Sequence, residues 1–130
     1  MAPEEAAAEA TKGTELRRRQ VLLVKSLGKL IRYADERGYE LTLGEGFVQP
    51  VRKARGGEFF KDGVHMENSL HYSRLAQDLN LFVQGQFIQD GEHFAWVDLS
   101  NFWEELDVLA RAGRRFGDSN HLSISHAGKA

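Results

Sequence analysis

The stretch that most limits what this chain can become is Leu75-Ala76-Gln77-Asp78-Leu79-Asn80-Leu81-Phe82. Strand side chains alternate between two faces. Leu75, Leu79 and Leu81 therefore fall together with Gln77, and Ala76, Asp78, Asn80 and Phe82 take the opposite side. A leucine-rich face has to pack on a core, so Asp78 is turned away from it, where a site can be built. The end of the chain repeats the pattern in His121-Leu122-Ser123-Ile124-Ser125. Leu122 and Ile124 go to the core, and His121, Ser123 and Ser125 face the other way.

Two couples of metal-ligating residue types follow from this placement. His71 and Asp78 stand seven residues apart, and Asp118 and His121 stand three apart. Two imidazoles and one carboxylate form a catalytic zinc set that leaves the fourth position open for water. Such a centre carries net positive charge, lowers the pKa of water toward neutrality and polarises a scissile carbonyl. The expectation is one Zn(2+) per chain held by His71, Asp78 and His121. Asp118 then serves as catalytic base, taking the proton of the water and handing it to the leaving amine. His65, His93 and His126 are the rival imidazoles. His93 falls in a loop, and His126 faces away from His121 if the last strand continues.

The remaining chain supplies the scaffold. Thr14 to Arg37 reads as the principal helix, with Leu16, Leu23, Leu27, Leu30, Ile31 and Ala34 at helical spacing and Val21, Leu22 and Val24 widening the stripe. Thr14 is the expected N-cap and Gly38 the left-handed stop. Arg17-Arg18-Arg19 reads as a solvated face. Residues 1–13 are rich in Ala and Glu and are expected to be a flexible tail or a frayed helical lead-in. Tyr39 to Leu43 alternates as a strand, Phe47 to Asn68 reads as a loop, and Phe87 to Gln89 pairs back on Leu75–Phe82 through a Gly-containing turn. A second helix is expected from an N-cap at Ser100 through Ala112, stopped by Gly113. The sum is one α+β domain over residues 14–130, with helices on one side of a small antiparallel sheet.

Composition removes several function classes. With no cysteine among 130 residues, disulfides, thiolate metal sites and cysteine nucleophiles are excluded. A net charge of -2 lacks the basic excess of a nucleic-acid binder, so no nucleic acid is expected. No apolar run reaches the roughly 20 residues that cross a bilayer, so no membrane insertion is expected, and no export signal opens the chain.

Ser69-x-His71-x4-Ala76-x-Asp78, followed by Asp118-x-x-His121, resembles the zinc D-alanyl-D-alanine carboxypeptidases and L-alanyl-D-glutamate endopeptidases, closest to small bacteriophage endolysins. The resemblance runs over about residues 15–130. It implies the hedgehog/D-Ala-D-Ala-peptidase-like fold and the same ligands and base. It further implies a peptidoglycan stem peptide as substrate, cut at L-Ala–D-Glu or next at D-Ala–D-Ala. Ser69 and Arg74 would line the substrate side. The family pattern Gly-Glu-x-aromatic-Arg carries an arginine for the oxyanion. Here the run is Gly44-Glu45-Gly46-Phe47-Val48, so Arg52 or Arg55, or else Arg74, is the expected donor in place of position 48. An endolysin of this type is made in the host cytoplasm and acts in cell wall lysis. The alternative is a virion or tail-associated protein that binds wall peptide or other phage structural proteins with weak or no catalysis.

Overall fold

The computed structural model describes residues 3–46, 51–52, 59–60 and 70–126. Helix α1 spans Pro3–Glu36, so its backbone starts well before Thr14, which lies inside the helix and is not its cap. Its end follows the expectation. Gly38 adopts φ 78°, Tyr39 N–H bonds to Ala34 O at 2.9 Å and Gly38 N–H to Asp35 O at 3.0 Å, a Schellman closure. Leu23, Leu30 and Ala34 are buried, whereas Val21, Val24 and Ile31 are exposed; the core-facing stripe is narrower than the sequence suggests. Arg19 is not simply solvated. Its guanidinium donates to Glu15 and to the carbonyl of Ser125, both at 2.8 Å, tying α1 to the end of the chain.

Strand β1 (Glu40–Leu43) pairs antiparallel with β4 (Ala76–Val83). A short hairpin of β2 (Val51–Arg52) and β3 (Phe59–Phe60) lies in the segment expected to be all loop. β4 turns back into β5 (Gln86–Phe87) through Gln84 and Gly85, both at positive φ, the conformation of a tight primed turn. Helix α2 runs Phe94–Leu106, then β6 (Ala110–Ala112) and β7 (His121–Ile124) complete a five-stranded antiparallel sheet of order β1-β4-β7-β6, with β5 on β4.

The second helix therefore begins ahead of Ser100, which is buried in its middle. His93 is the true N-cap, its Nδ1 accepting from Ala95 N–H at 3.1 Å. Asp107 ends the helix in an extended conformation and accepts from Leu109 N–H at 2.9 Å, which frees residues 110–112 for the sheet.

Both helices cover the same face of the sheet. Leu23, Leu30 and Ala34 of α1 join Ala95, Trp96, Leu99 and Trp103 of α2 over Leu79, Leu81, Leu122 and Ile124. The two tryptophans are almost wholly buried, and losing either ring would cost about 3–5 kcal/mol. Trp103 Nε1 donates to Ser123 O at 3.1 Å, which fixes β7 to α2. Asp98 of α2 accepts from Tyr33 at 2.6 Å and from Tyr39 at 2.8 Å, locking the α1–β1 corner. Burial, followed by the hydrogen bond to Asp98 and its charge, pushes the Tyr39 hydroxyl up to about 12. Among the described residues no helix is long and apolar enough to cross a membrane.

Candidate metal centre

The opposite face of the sheet carries the site. β4 and β7 pair so that Asp78 stands directly across from His121, and cross-strand partners share a face. His121 is set by a tight local fold. Its N–H bonds to Asp118 O at 3.1 Å, and Asp118 N–H bonds back to Gly113 O at 2.9 Å. A Cβ on Gly113 would overlap the Asp118 carbonyl and come within 2.8 Å of the His121 Cβ, so this turn closes only over glycine.

His71 arrives on a different support, a 3-10 turn over Leu70–Ser73. Leu70, Leu75 and Ala76 form a small cluster with Leu16 of α1 that anchors the turn. Gln20 donates to Ser73 O at 2.9 Å, and Leu75 N–H closes on Leu70 O at 3.0 Å. Arg74, at φ 57°, bends the chain from this turn into β4. The His71 imidazole is thereby buried against β4.

Residues 44–46 continue β1 alongside β4 and orient that imidazole. Gly44 N–H bonds to Asp78 O at 2.8 Å and Asp78 N–H to Glu45 O at 2.7 Å. A Cβ on Gly44 would sit 3.1 Å from both the Cβ and the carbonyl oxygen of Asp78. Gly46 then places its carbonyl 2.7 Å from His71 Nδ1. A carbonyl only accepts, so Nδ1 carries the proton and Nε2 presents a bare lone pair toward Asp78 and His121.

Three ligand atoms meet there. His71 Nε2 lies 3.2 Å from Asp78 Oδ1, His121 Nδ1 lies 3.3 Å from the same oxygen, and the two nitrogens are 3.2 Å apart. Ligands ~2.0–2.1 Å from a tetrahedral zinc stand ~3.3–3.4 Å from one another, so this triangle has the size of one tetrahedral face. Asp78 Oδ1 is buried and makes no well-formed hydrogen bond, a costly state for a carboxylate oxygen unless a cation answers it. Burial pushes the Asp78 carboxyl up, but its close ion pairing with His121 and His71 more than reverses this and holds it at about 2. For His71, burial pulls the imidazole down. The neighbouring Asp78 carboxylate, the hydrogen bond to Gly46 O and the charge of Glu45 outweigh that and leave it raised. His71, Asp78 and His121 can hold a metal ion as they stand.

Asp118 stays outside the trio, three residues ahead of His121. Its side chain is exposed and lines a neighbouring crevice, while its backbone supports His121. Arg74 is exposed at the positive-φ bend. His93 is committed to capping α2, and His126, just past β7, stays outside the ligand group. Ser69, Val48, Arg55 and His65, together with the side chain of Arg52, lie outside the described residues. The Gly46 carbonyl is the partner that sequence reasoning missed. Its signal was the Gly44-x-Gly46 pair next to a strand end, where backbone can approach backbone. Compared with protein families, with curated proteins and with solved structures, the chain finds no match.

Proposed function

We propose that this chain is a zinc-dependent hydrolase that cuts an amide bond in the stem peptide of bacterial peptidoglycan, L-Ala–D-Glu before D-Ala–D-Ala. The observation that carries the reading is the triangle of two imidazole nitrogens and one carboxylate oxygen, 3.2–3.3 Å on a side. Nitrogen and carboxylate donors at tetrahedral spacing suit zinc, and three protein ligands are the number that catalytic zinc sites use. Zinc bound there supplies a Lewis acid that polarises the scissile carbonyl and acidifies water.

The chain's own residues do the rest. Asp78 and the two histidines fix the cation, with Gly46 O setting the His71 tautomer. The Asp118 carboxylate, solvent-accessible and three residues ahead of His121, accepts the proton of the attacking water and returns it to the departing amine. Arg52 or Arg55 supplies the oxyanion donor in place of the valine at position 48. Ser69 and Arg74 border the bound peptide. The choice of peptidoglycan peptide rests on the resemblance of the Ser69–Asp78 and Asp118–His121 segments.

Val48 favours one other reading, a wall-binding virion component with the metal fold and little turnover, because an oxyanion donor is worth about 2.7–4 kcal/mol. One experiment separates the two. Zinc content and release of new amino termini from peptidoglycan are measured for the wild type and Asp118→Asn. Stoichiometric zinc with cleavage that falls about 100-fold or more in Asp118→Asn supports the hydrolase. Zinc without cleavage supports the binding role, and a protein that takes up no zinc overturns both.

A further inference from the structure

Next to the metal trio, the row of strands along one edge of β4 is interrupted. β7 pairs with residues 76–78 and β5 with residues 82–83. Leu79 N–H reaches Asn120 O at 2.9 Å and Ile88 N–H reaches Leu81 O at 2.8 Å, both from the same edge, since Gly44 and Glu45, just past β1, take the bonds of Asp78 on the other. Between those two bonds the neighbouring strands part. The gap is a crevice of about 430 Å³, within the ~300–1,000 Å³ of small-ligand sites. Leu79, Ile88 and Trp96 give it an apolar lining, and the indole N–H of Trp96 is already used on Ile88 O at 3.0 Å. Asn80 and Asn120 add carboxamides, and Asp118 connects the crevice to the segment that carries His121.

Among the described residues Arg114 is the cation that lines this crevice, and its pairing is uneven. Arg114 Nε donates to Gly91 O at 3.2 Å, which fixes the guanidinium, and a terminal nitrogen donates to Glu92 at 2.9 Å. The Arg114 side chain is 31% exposed, whereas that of Glu92 is 80% exposed. An ion pair with so exposed a partner is weakly held and readily exchanged. Glu92 and Asp118 both line the crevice, so a bound carboxylate adds a negative charge that Arg114 must offset.

We infer that the crevice is a subsite for a carboxylate-bearing residue of a peptide, with Arg114 as its anchor and Glu92 as the displaceable stand-in. The Asn80 and Asn120 carboxamides pair with the peptide's backbone amides. Only the choice of peptide rests on the peptidase reading; the carboxylate site is tested separately from it.

The test titrates zinc-free protein with N-acetyl-L-alanyl-D-glutamate and with its diamide. Binding is followed by NMR at the Trp96 indole N–H and the Asn80 and Asn120 carboxamides. The acid is expected to bind about ten-fold more tightly than the diamide. Arg114→Gln removes the difference, and Glu92→Gln tightens the acid about three-fold while leaving the diamide unchanged. Equal affinity for acid and diamide in the wild type overturns the subsite, as does a preference that survives Arg114→Gln. Zinc-loaded protein that cleaves the peptide without carboxylate preference sinks the subsite and spares the peptidase. Carboxylate-dependent binding without cleavage does the reverse.

Discussion

The three side chains that could hold a metal rest on two unlike supports. Asp78 and His121 project from paired strands whose backs are sealed by Leu79, Leu122, Trp96 and Trp103. His71 projects from a four-residue 3-10 turn held by a small cluster and steered by one hydrogen bond to Gly46. On the strand side, ligand position and domain stability share the same contacts. On the turn side they are separable, because aiming the imidazole takes little of the core. A disturbance of the first arm should thus register in stability and metal binding together, and of the second in metal binding alone.

Direct removal of a ligand has the largest expected effect on either arm. His71→Ala should weaken zinc binding by about 100-fold or more, since even an outer-sphere partner is worth 10–100-fold. Zinc stoichiometry after dialysis checks this, and unchanged retention refutes the assignment. Gly113→Ala tests the coupled arm. The new methyl overlaps the Asp118 carbonyl, so a loss of about 2 kcal/mol or more in denaturant unfolding is expected along with weakened zinc binding. Stability lost without any change in zinc affinity would break the coupling.

Acid titration of the metal-free protein gives the next effect. Asp78 is held at about 2, below its ordinary 3.8, so its contribution is whole above pH 4 and drains as pH falls toward 2. That amounts to about 2 kcal/mol, absent in Asp78→Asn. Converging stability curves for the two proteins near pH 2 check it. Gly46→Ala probes the turn arm. Its Cβ would meet Gln77 Oε1 at 2.7 Å and shift the carbonyl that orients His71. Zinc affinity should drop about ten-fold with little change in melting temperature. The smallest effect belongs to Arg74→Gly, which relieves a positive φ and should stabilise the protein by about 1 kcal/mol. If Arg74 also touches substrate, KM rises in the same variant.

The strand arm was legible in the sequence and the turn arm only in part. Period-two alternation in Leu75–Phe82 and His121–Ser125 is a strong local signal, and it placed Asp78 and His121 on the site face correctly. Nothing local announced their register, which emerges from the pairing of β4 with β7. The second helix was misplaced because Ser100 looks like a cap. A buried serine inside a tryptophan-rich helix has the same letter as one at its start, and His93 caps through a ring nitrogen. Strand β6 went unseen because Leu109-Ala110 extends a helical stripe in sequence, whereas Asp107 breaks it in space. The crevice beside Arg114 has no sequence signature, since it arises where two strands diverge from a third.

Because Asp78 faces His121 across the ladder, the alignment of β7 on β4 decides whether the trio can hold a metal at all. Sliding one strand by a single residue would point the imidazole inward and thrust Leu122 into water, losing the ligand triangle and the core at one stroke. Zinc uptake by newly folded chains would then count those whose last strand has docked in true alignment.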